Sequence, residues 1–319
     1  MVATMSDILT ITLNPAYDVS TEVYTVAPGP KLRCEPPRFD PGGGGVNVSR
    51  AVSRLGGVST AFVALGGQTG AMFHSLLDAE DFEVAQFEIK GNTRQSLAVI
   101  ETSTRQQYRF QLPGPDWSPE QTAAMLEHLR PHLGRGRIVV MSGSLPPGVP
   151  ADISSTVNRL AVECGARLIL DTSGAALMAA AANSGPPFAL LRMDGAEAAE
   201  VSGRTFTSPA ELADYGLELV RAGVAEQLVM SMGASGTVGV SASERFFCQP
   251  PKLETLSAIG AGDSMVAAIA LELSRGGNLA DAVRHGVAAA GSAVLTPATE
   301  LCSRATADEI LGQVVTRQI

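Results

Sequence analysis

The sequence predicts an α/β fold, in which helices cover a mainly parallel central sheet and a small β-sheet lid lies beside it. Two observations carry this prediction. After residue 112, short apolar strand patterns alternate regularly with helical patterns, which is typical of a parallel sheet with helical crossovers. Before residue 112, two extended segments fall outside this alternation. No repeat or low-complexity linker separates these parts, so we predict a single domain over residues 1–319.

The strands of the central sheet are predicted from short runs of apolar and β-branched residues. The candidates are Ile8–Asn14, Ile138–Ser142, Arg167–Asp171, Phe188–Arg192 and Gln227–Ser231, followed by a hairpin of Val238–Val240 and Phe246–Cys248. Loops at the carboxyl ends of parallel strands build ligand sites, so we expect the polar residues in these loops to converge. They are Ser144, Asp171, Asp194, Glu197 and the turn 231–236.

The lid is predicted from two extended segments, Val23–Arg38 and Ser96–Leu112, which look like antiparallel strands. With their flanking residues, we place the lid strands at about 20–40 and 94–112. The first segment surrounds a basic island with prolines, and the second alternates in part around a TRQQ turn. Three cations are candidates for a basic cluster on this lid: Lys31, Arg33 and Arg94. Solvated surface charge is the alternative interpretation for each of them.

Composition narrows the class of protein. The chain is 45% hydrophobic and 17% charged, as in ordinary soluble globular proteins. Its 23 Lys and Arg against 32 Asp and Glu give a net charge of −9, which argues against nucleic acid or an anionic membrane as the main partner. The four cysteines are scattered without metal-ligand spacing, and neither a signal peptide nor a transmembrane run is evident. We therefore expect a cytoplasmic protein.

The segment 256–277 combines a glycine-containing break, a lone Asp263 and an Ala-rich run that is typical of a helix. Asp263 has two interpretations. It is either the N-cap of this helix, or a general base beside the anion site that free N–H groups form at a helix start. From this segment alone the N-cap is favoured, because caps are common and catalytic bases are rare.

Four consecutive glycines, Gly42–Gly45, precede another predicted helix. Glycines at a helix start let a ligand come close to the backbone, and a flexible loop is the alternative. The pattern is not a GxGxxG dinucleotide fingerprint, and the chain contains no GxxxxGK[ST] motif, which excludes a P-loop.

The motifs GGGGVNVSRA (42–51) and IGAGDSMVAA (259–268), with SGSLPPG, DTSG and SMGASG in order between them, resemble the paired signatures of the ribokinase-like (PfkB) carbohydrate kinases. The likeness covers essentially the whole chain. It implies a ribokinase-like three-layer α/β/α sandwich with a β lid, and a homodimer formed through that lid. The four-glycine form, together with KLRC, TRQ, QYRF and LCS, resembles the 6-phosphofructokinase branch of the family.

This resemblance implies transfer of phosphate from ATP to fructose 6-phosphate, giving ADP and fructose 1,6-bisphosphate, with Mg²⁺ and K⁺ as the expected cations. A kinase for fructose 1-phosphate or tagatose 6-phosphate is an alternative within the family. Kinases of these two substrates typically show GGKG where this chain has Gly42–Gly45. An alternative of another class is a sugar-phosphate or nucleotide binding protein that kept the fold and lost turnover.

The resemblance also implies roles for individual residues. The catalytic set is Asp263 as base, with the N–H groups of Gly260, Ala261 and Gly262 as its anion hole. The sugar-phosphate set is Asp18, Lys31, Gly43, Gly44, Asn47, Arg94 and Ser144, to which closeness in sequence adds Arg33. The ATP set is Arg192, Asp194, Ser231, Gly233, Gly236 and Thr296. The cation set is Glu197 for Mg²⁺ through water, with Ser257, Ile259, Ala293 and Ala298 for a monovalent cation.

The chain departs from the family pattern at residues 192–197, where RMDGAE stands in place of KPNxxE. Glu197 is retained, but Arg192 replaces a Lys, and these side chains are not interchangeable. Asp194 replaces an Asn, and its added negative charge has two opposite expected effects, tighter Mg²⁺ binding or weaker ATP binding. Thr296 and Pro297 stand where Asn-Gln is common, which argues against an inhibitory second ATP site.

Overall fold

The computed structural model describes residues 7–297 and 300–319, and ten of the strands in this part of the chain form one large sheet. These strands are β1 (Ile8–Thr12), β4 (Thr60–Leu65), β5 (Glu83–Glu88), β8 (Ile138–Ser142), β9 (Arg167–Asp171), β10 (Leu190–Asp194), β11 (Gln227–Ser231), β12 (Thr237–Ser241), β13 (Arg245–Gln249) and β14 (Val315–Gln318). Their order is β14-β13-β12-β11-β10-β9-β8-β1-β4-β5. Pairing is parallel from β11 to β5 and antiparallel from β11 to β14. The predicted mainly parallel sheet is therefore confirmed.

Most of the predicted strands lie where the sequence placed them. Those at Ile138–Ser142, Arg167–Asp171 and Gln227–Ser231 have the predicted bounds. The prediction of β1 was two residues too long, because the chain turns before Pro15. The prediction of β10 began two residues early, because Phe188 forms only an isolated bridge with Ala225.

Helices cover both faces of the large sheet. They are α1 (Gly44–Arg54), α2 (Gly67–Leu77), α3 (Pro119–Leu129), α4 (Ile153–Glu163), α5 (Gly174–Ala181), α6 (Gly195–Ser202), α7 (Pro209–Arg221), α8 (Ala261–Ser274), α9 (Leu279–Val294) and α10 (Arg304–Leu311). Successive strand residues point to opposite faces. Leu9 of β1 therefore packs in the core that contains Val157 of α4, whereas Ile8 packs in the core that contains Val266 of α8. Two apolar cores on either side of one sheet make the three-layer sandwich.

A second, four-stranded sheet has the order β3-β2-β6-β7. Its strands are β2 (Ala16–Val23), β3 (Arg38–Gly42), β6 (Arg94–Glu101) and β7 (Gln106–Gln111). The prediction that this lid is antiparallel is wrong for one pair, because β2 and β6 run parallel. Both strands continue from parallel strands of the large sheet, β1 and β5, and so leave it in the same direction.

The predicted extended segment Val23–Arg38 is also corrected, since residues 24–37 form a mostly exposed loop between β2 and β3. The prolines in this loop explain the difference, because proline cannot donate a hydrogen bond to a neighbouring strand. Among the helices of the described residues, none is long and apolar enough to span a membrane.

Candidate active site

Asp263 lies in the first turn of α8, near the carboxyl ends of the central strands. The N-cap of this helix is Gly260, whose φ of 76° is in the left-handed region that favours glycine. The N-cap interpretation of Asp263 is therefore wrong. Helical bonding begins with the N–H of Ser264 donating to the carbonyl of Gly260 at 2.9 Å. The N–H groups before Ser264 lie at the helix start, where the helix dipole favours an anion.

The carboxylate of Asp263 is held by Asn47 of α1, whose Nδ2 donates to Oδ2 at 2.9 Å. The pKa of Asp263 is raised to about 7, chiefly by burial and also by the negative charge of Asp171. The Asn47 hydrogen bond and the positive charge of Arg192 act in the opposite direction. The result is a carboxyl group that changes its protonation state near neutral pH.

Four side chains from β8, β9, β10 and β11 form a continuous hydrogen-bonded row beside the start of α8. Ser142 Oγ donates to Asp171 Oδ2 at 2.9 Å. Arg192 Nη1 donates to Asp171 Oδ1 at 3.2 Å, and Arg192 Nη2 donates to Ser231 Oγ at 3.0 Å. A Cβ on Gly262 would lie 3.4 Å from Arg192 Nη2, so the guanidinium lies directly beside the start of α8.

The RMDGAE segment, which departs from the family pattern, caps the N-terminus of α6. Asp194 Oδ1 accepts from the N–H groups of Ala196 and Glu197 at 2.9 Å each, and Glu197 Oε2 accepts from the N–H of Asp194 at 2.7 Å. This reciprocal pair is a capping box, which sequence reasoning missed although Asp followed three residues later by Glu is its ordinary spacing. The added charge of Asp194 is thus bound to the N-terminus of a helix.

Glu197 also lies 3.9 Å from Arg192 Nη1. Burial raises the pKa of Glu197, while the hydrogen bond from Asp194 and the charge of Arg192 lower it. Among the described residues, no group of three or more His, Cys, Asp and Glu side chains has the arrangement of a metal site.

A cleft of about 950 Å³ opens beside Arg192, between the end of the sheet and α9. Its lining includes the row residues Arg192 and Ser231, with Gly233 and Ala234 of the following turn and Gly262 of α8. Its apolar lining consists mainly of Pro250, Pro251, Leu253, Val287, Ala290 and Val294. The predicted ATP residues Arg192, Asp194, Ser231, Gly233 and Gly236 all line this cleft. Thr296 does not, and its Oγ1 hydrogen-bonds the carbonyl of Ala293 at 2.8 Å.

The four glycines are packed tightly against the ends of β1, β2 and β8. A Cβ on Gly42 would lie 2.0 Å from Asp18 Oδ2, and a Cβ on Gly44 would lie 2.2 Å from Ser142 Oγ. Gly43 has a φ of 126°, and its Cβ would lie 2.7 Å from Thr12. Close packing at these positions, rather than loop flexibility, requires glycine.

The sugar-phosphate candidates fall into two groups. Asp18, Asn47, Arg94 and Ser144 lie around the carboxyl end of β1. Burial raises the pKa of Asp18 to about 6, although the charge of Arg94 lowers it. Lys31 and Arg33 lie on the exposed loop 24–37, and no hydrogen bond or ion pair joins either of them to the site residues that the structure describes.

The described monovalent-cation candidates lie just before α8 and in the last turn of α9, and the N–H of Ser257 donates to the carbonyl of Val294 at 3.3 Å. Ser257 Oγ accepts from the N–H of Ile259 at 3.2 Å, and the carbonyl of Ala293 accepts from the N–H of Thr296 at 3.1 Å. Ala298 lies outside the described residues.

Sequence comparison identifies the family. Residues 5–306 match the model described as pfkB family carbohydrate kinase. The chain therefore belongs to the pfkB family of carbohydrate kinases, as its two signature motifs indicate.

The more particular relatives are phosphofructokinases. The chain is 42% identical to the ATP-dependent 6-phosphofructokinase isozyme 2 of Mycobacterium tuberculosis (strain CDC 1551 / Oshkosh), over 93% of this chain and 86% of the relative. It is 39% identical to the protein of the same name from Escherichia coli (strain K12), over 94% of this chain and 96% of the relative.

The solved structures agree with the sequence relatives. Phosphofructokinase-2 from Escherichia coli in complex with fructose-6-phosphate matches with a TM-score of 0.89 and 38% identity, over 97% of this chain and 99% of that chain. The potassium complex of the same protein matches with a TM-score of 0.91, at the same identity and coverage. The predicted ribokinase-like fold is thereby confirmed.

Proposed function

We propose that the protein transfers the γ-phosphoryl group of ATP to the 1-hydroxyl of fructose 6-phosphate, giving ADP and fructose 1,6-bisphosphate. Two relatives of this chain are named ATP-dependent 6-phosphofructokinases, and one of them has been solved with fructose-6-phosphate. The observation that carries the proposal is the position of Asp263. Its carboxylate lies at the start of α8, where Asn47 holds it, and the preceding residue, Gly262, lines the cleft together with Arg192.

In the proposed mechanism, Asp263 takes the proton of the 1-hydroxyl as its oxygen attacks the γ-phosphorus of ATP. The bond from this phosphorus to the bridging oxygen breaks, and ADP leaves. A general base works best with a pKa near the working pH, which matches the raised pKa of Asp263. Phosphoryl transfer otherwise depends on positioning and charge. The N–H groups at the start of α8 and the guanidinium of Arg192 would supply that charge stabilisation.

The nucleotide would bind along the cleft of about 950 Å³. Its polar end, with Arg192 and the turn Gly233–Ser235, suits the phosphates. Its apolar lining, which includes Val287 and Leu253, suits a purine ring. Gly236 supports the turn with a φ of 137°, and a Cβ there would lie 2.4 Å from the carbonyl oxygen of Cys248.

We propose that Mg²⁺ binds together with the nucleotide, and not in a site made only of protein ligands. Proteins usually hold Mg²⁺ through substrate phosphates, waters and only one or two carboxylates. The described residues fit this mode, since the carboxylate of Glu197 lies beside Arg192, which lines the cleft, and is already bonded through Oε2. Glu197 would hold a metal-bound water, and the ion would neutralise phosphate charge. We also propose K⁺ as the monovalent cation, because a relative has been solved with potassium.

A homodimer through the lid is proposed from an apolar row that crosses the small sheet. Phe39, Val19, Leu97 and Phe110 are consecutive cross-strand partners, so their side chains share one face. Asp18 is adjacent to Val19 and therefore points to the opposite face, toward the site. Phe39 and Phe110, at the two ends of this row, are 43% and 53% exposed, and a row of exposed apolar side chains is typical of a contact surface.

The test of the proposed function is a panel of acceptors with ATP, in which ADP release is measured with and without Mg²⁺ and K⁺. We expect the highest kcat/KM with fructose 6-phosphate. A clear preference for fructose 1-phosphate or tagatose 6-phosphate would replace the proposed substrate. Binding of sugar phosphate with no release of ADP under any condition would favour a non-catalytic binding protein.

A further inference from the structure

Asn14, just beyond the end of β1, joins the sheet, the lid and the loop after β8. Its Nδ2 donates to Ser144 Oγ at 3.1 Å and to the carbonyl of Leu145 at 3.2 Å. Its own carbonyl accepts from Arg94 Nε at 3.2 Å. A Cβ on Gly114 would lie 2.4 Å from Asn14 Oδ1, so the chain returning from the lid also packs on this side chain.

These contacts determine which way the amide of Asn14 faces. A carbonyl oxygen can only accept hydrogen bonds, so the amide atom facing Leu145 must be the NH₂ group rather than the oxygen. The same NH₂ group is the atom that contacts Ser144 Oγ. Asn14 is therefore the donor in its bond with Ser144, and Ser144 Oγ is the acceptor.

The direction of this bond leaves the hydroxyl hydrogen of Ser144 available. A serine hydroxyl has one hydrogen to donate and two lone pairs, and Asn14 uses one of the lone pairs. Within residues 7–297 and 300–319, no protein group accepts that hydrogen, and Ser144 is exposed. A phosphate oxygen can only accept, so a hydroxyl held in this state is suited to it.

Arg94 is oriented by the same residue. Because its Nε is used by the Asn14 carbonyl, the terminal nitrogens of the guanidinium remain for other partners. Burial lowers the pKa of Arg94 and the charge of Asp18 raises it, so the cation lies in a partly desolvated place beside that carboxylate. Asn14 thus orients a charged donor, the Arg94 guanidinium, and a neutral donor, the Ser144 hydroxyl, at the same end of β1.

We propose that Asn14 is a positioning residue for the phosphate group of the sugar phosphate, acting through the hydroxyl of Ser144. This inference rests on the proposed function. Asn14 does not need to touch the substrate. Its side chain keeps the Ser144 hydroxyl in the donor state, and its backbone carbonyl keeps Arg94 turned toward the same end of the site.

The test is a double-mutant cycle of Asn14→Ala and Ser144→Ala, with Asn14→Asp as a third variant. Losing a hydrogen bond to a charged group costs about a tenfold or larger factor. We expect each alanine variant to raise the KM for fructose 6-phosphate about tenfold, with kcat and the KM for ATP unchanged. We expect the double variant to resemble Ser144→Ala alone, because Asn14 acts through Ser144.

Asn14→Asp distinguishes positioning from packing, since aspartate has nearly the shape of asparagine. Its carboxylate would accept the Ser144 hydrogen and repel the phosphate, so the KM for fructose 6-phosphate should exceed that of Asn14→Ala. The inference would be overturned if the two increases in the KM for fructose 6-phosphate multiplied in the double variant, or if Asn14→Asp had the same KM as the wild type. If the wild type prefers another sugar phosphate, the proposed substrate fails, and the same cycle run on that substrate still tests Asn14. Thermal unfolding midpoints confirm that each variant folds.

Discussion

Asn47 and Asp263 lie 216 residues apart in the sequence, yet their side chains are joined by a hydrogen bond of 2.9 Å. This bond connects the four-glycine motif to the motif that starts α8. It also opposes the burial that raises the pKa of Asp263, because hydrogen bonding from Asn47 favours the ionised form. Asn47 of α1 therefore orients the base and also lowers its pKa against the effect of burial.

The first prediction concerns the acid limb of the pH–rate profile. The wild-type kcat should rise through about pH 7 as Asp263 ionises. In Asn47→Ala, the ionised form loses its hydrogen bond, so the midpoint of this limb should move to higher pH. The measurement is kcat at saturating substrates from pH 5.5 to 9. A matched control is Asn278→Ala, which removes the N-cap of α9 without touching Asp263 and should leave the midpoint unchanged. A midpoint that stays in place or moves lower in Asn47→Ala would contradict the role of this bond.

The second prediction concerns stability. The pKa of Asp263 is raised in the folded protein, to about 7 from a usual 3.8. At pH values between these two, the folded state therefore binds a proton that the unfolded chain has lost. The free energy of unfolding contributed by this group therefore falls as the pH rises from about 4 to 7. Asp263→Asn removes that penalty, and its thermal midpoint should exceed that of the wild type at pH 8 by more than at pH 5. Asp308→Asn, on the exposed side of α10, is the control. An equal difference at both pH values would contradict the raised pKa.

The third prediction concerns Arg192, whose guanidinium bonds Asp171 and Ser231 together. Arg192→Ala leaves Asp171, whose side chain is only 12% exposed, without its cation and should lower the free energy of unfolding by about 3–5 kcal/mol. Arg192→Lys keeps the charge but cannot bond both partners, so its loss should be smaller. Urea unfolding measures both variants. Both should also raise the KM for ATP, since the residue lines the cleft. An Arg192→Ala protein as stable as the wild type would show that the row of side chains is not a structural element.

The fourth prediction concerns the apolar row on the lid. Phe110→Asp places a charge at one end of the apolar row, within the proposed dimer contact, so the protein should become monomeric. Light scattering and sedimentation measure the mass. Val58→Asp changes another exposed apolar residue, outside the lid, and should leave the assembly unchanged. A wild-type monomer, or a Phe110→Asp protein with unchanged mass, would contradict a lid contact.

The large sheet could be predicted from sequence because its parallel strands are buried on both faces and read as short apolar runs. Ile138–Ser142 and Gln227–Ser231 are such runs, and their bounds were predicted correctly. The lid was harder. The parallel pairing of β2 with β6 depends on where two distant strands leave the large sheet, which no local pattern records.

The features of the site also divide into those that could be predicted from the sequence and those that appear only in the folded chain. Asp263, Asn47 and the glycines stand out as motifs, but the bond between Asn47 and Asp263 arises only in the folded chain. The capping box of Asp194 and Glu197 could have been found, because its three-residue spacing is present in the sequence. Asn14 offered a weaker signal, a single polar residue at the end of a buried strand.

The most direct test of the central claim is to follow ATP and fructose 6-phosphate by ³¹P NMR with the wild type and with Asp263→Asn. The wild type should convert the sugar phosphate into a product with two phosphate resonances, those of fructose 1,6-bisphosphate. Asp263→Asn should bind fructose 6-phosphate, measured by calorimetry, yet form this product more slowly by a factor on the order of 10³. Product formation by Asp263→Asn at the wild-type rate, or no bisphosphate from the wild type, would contradict the account.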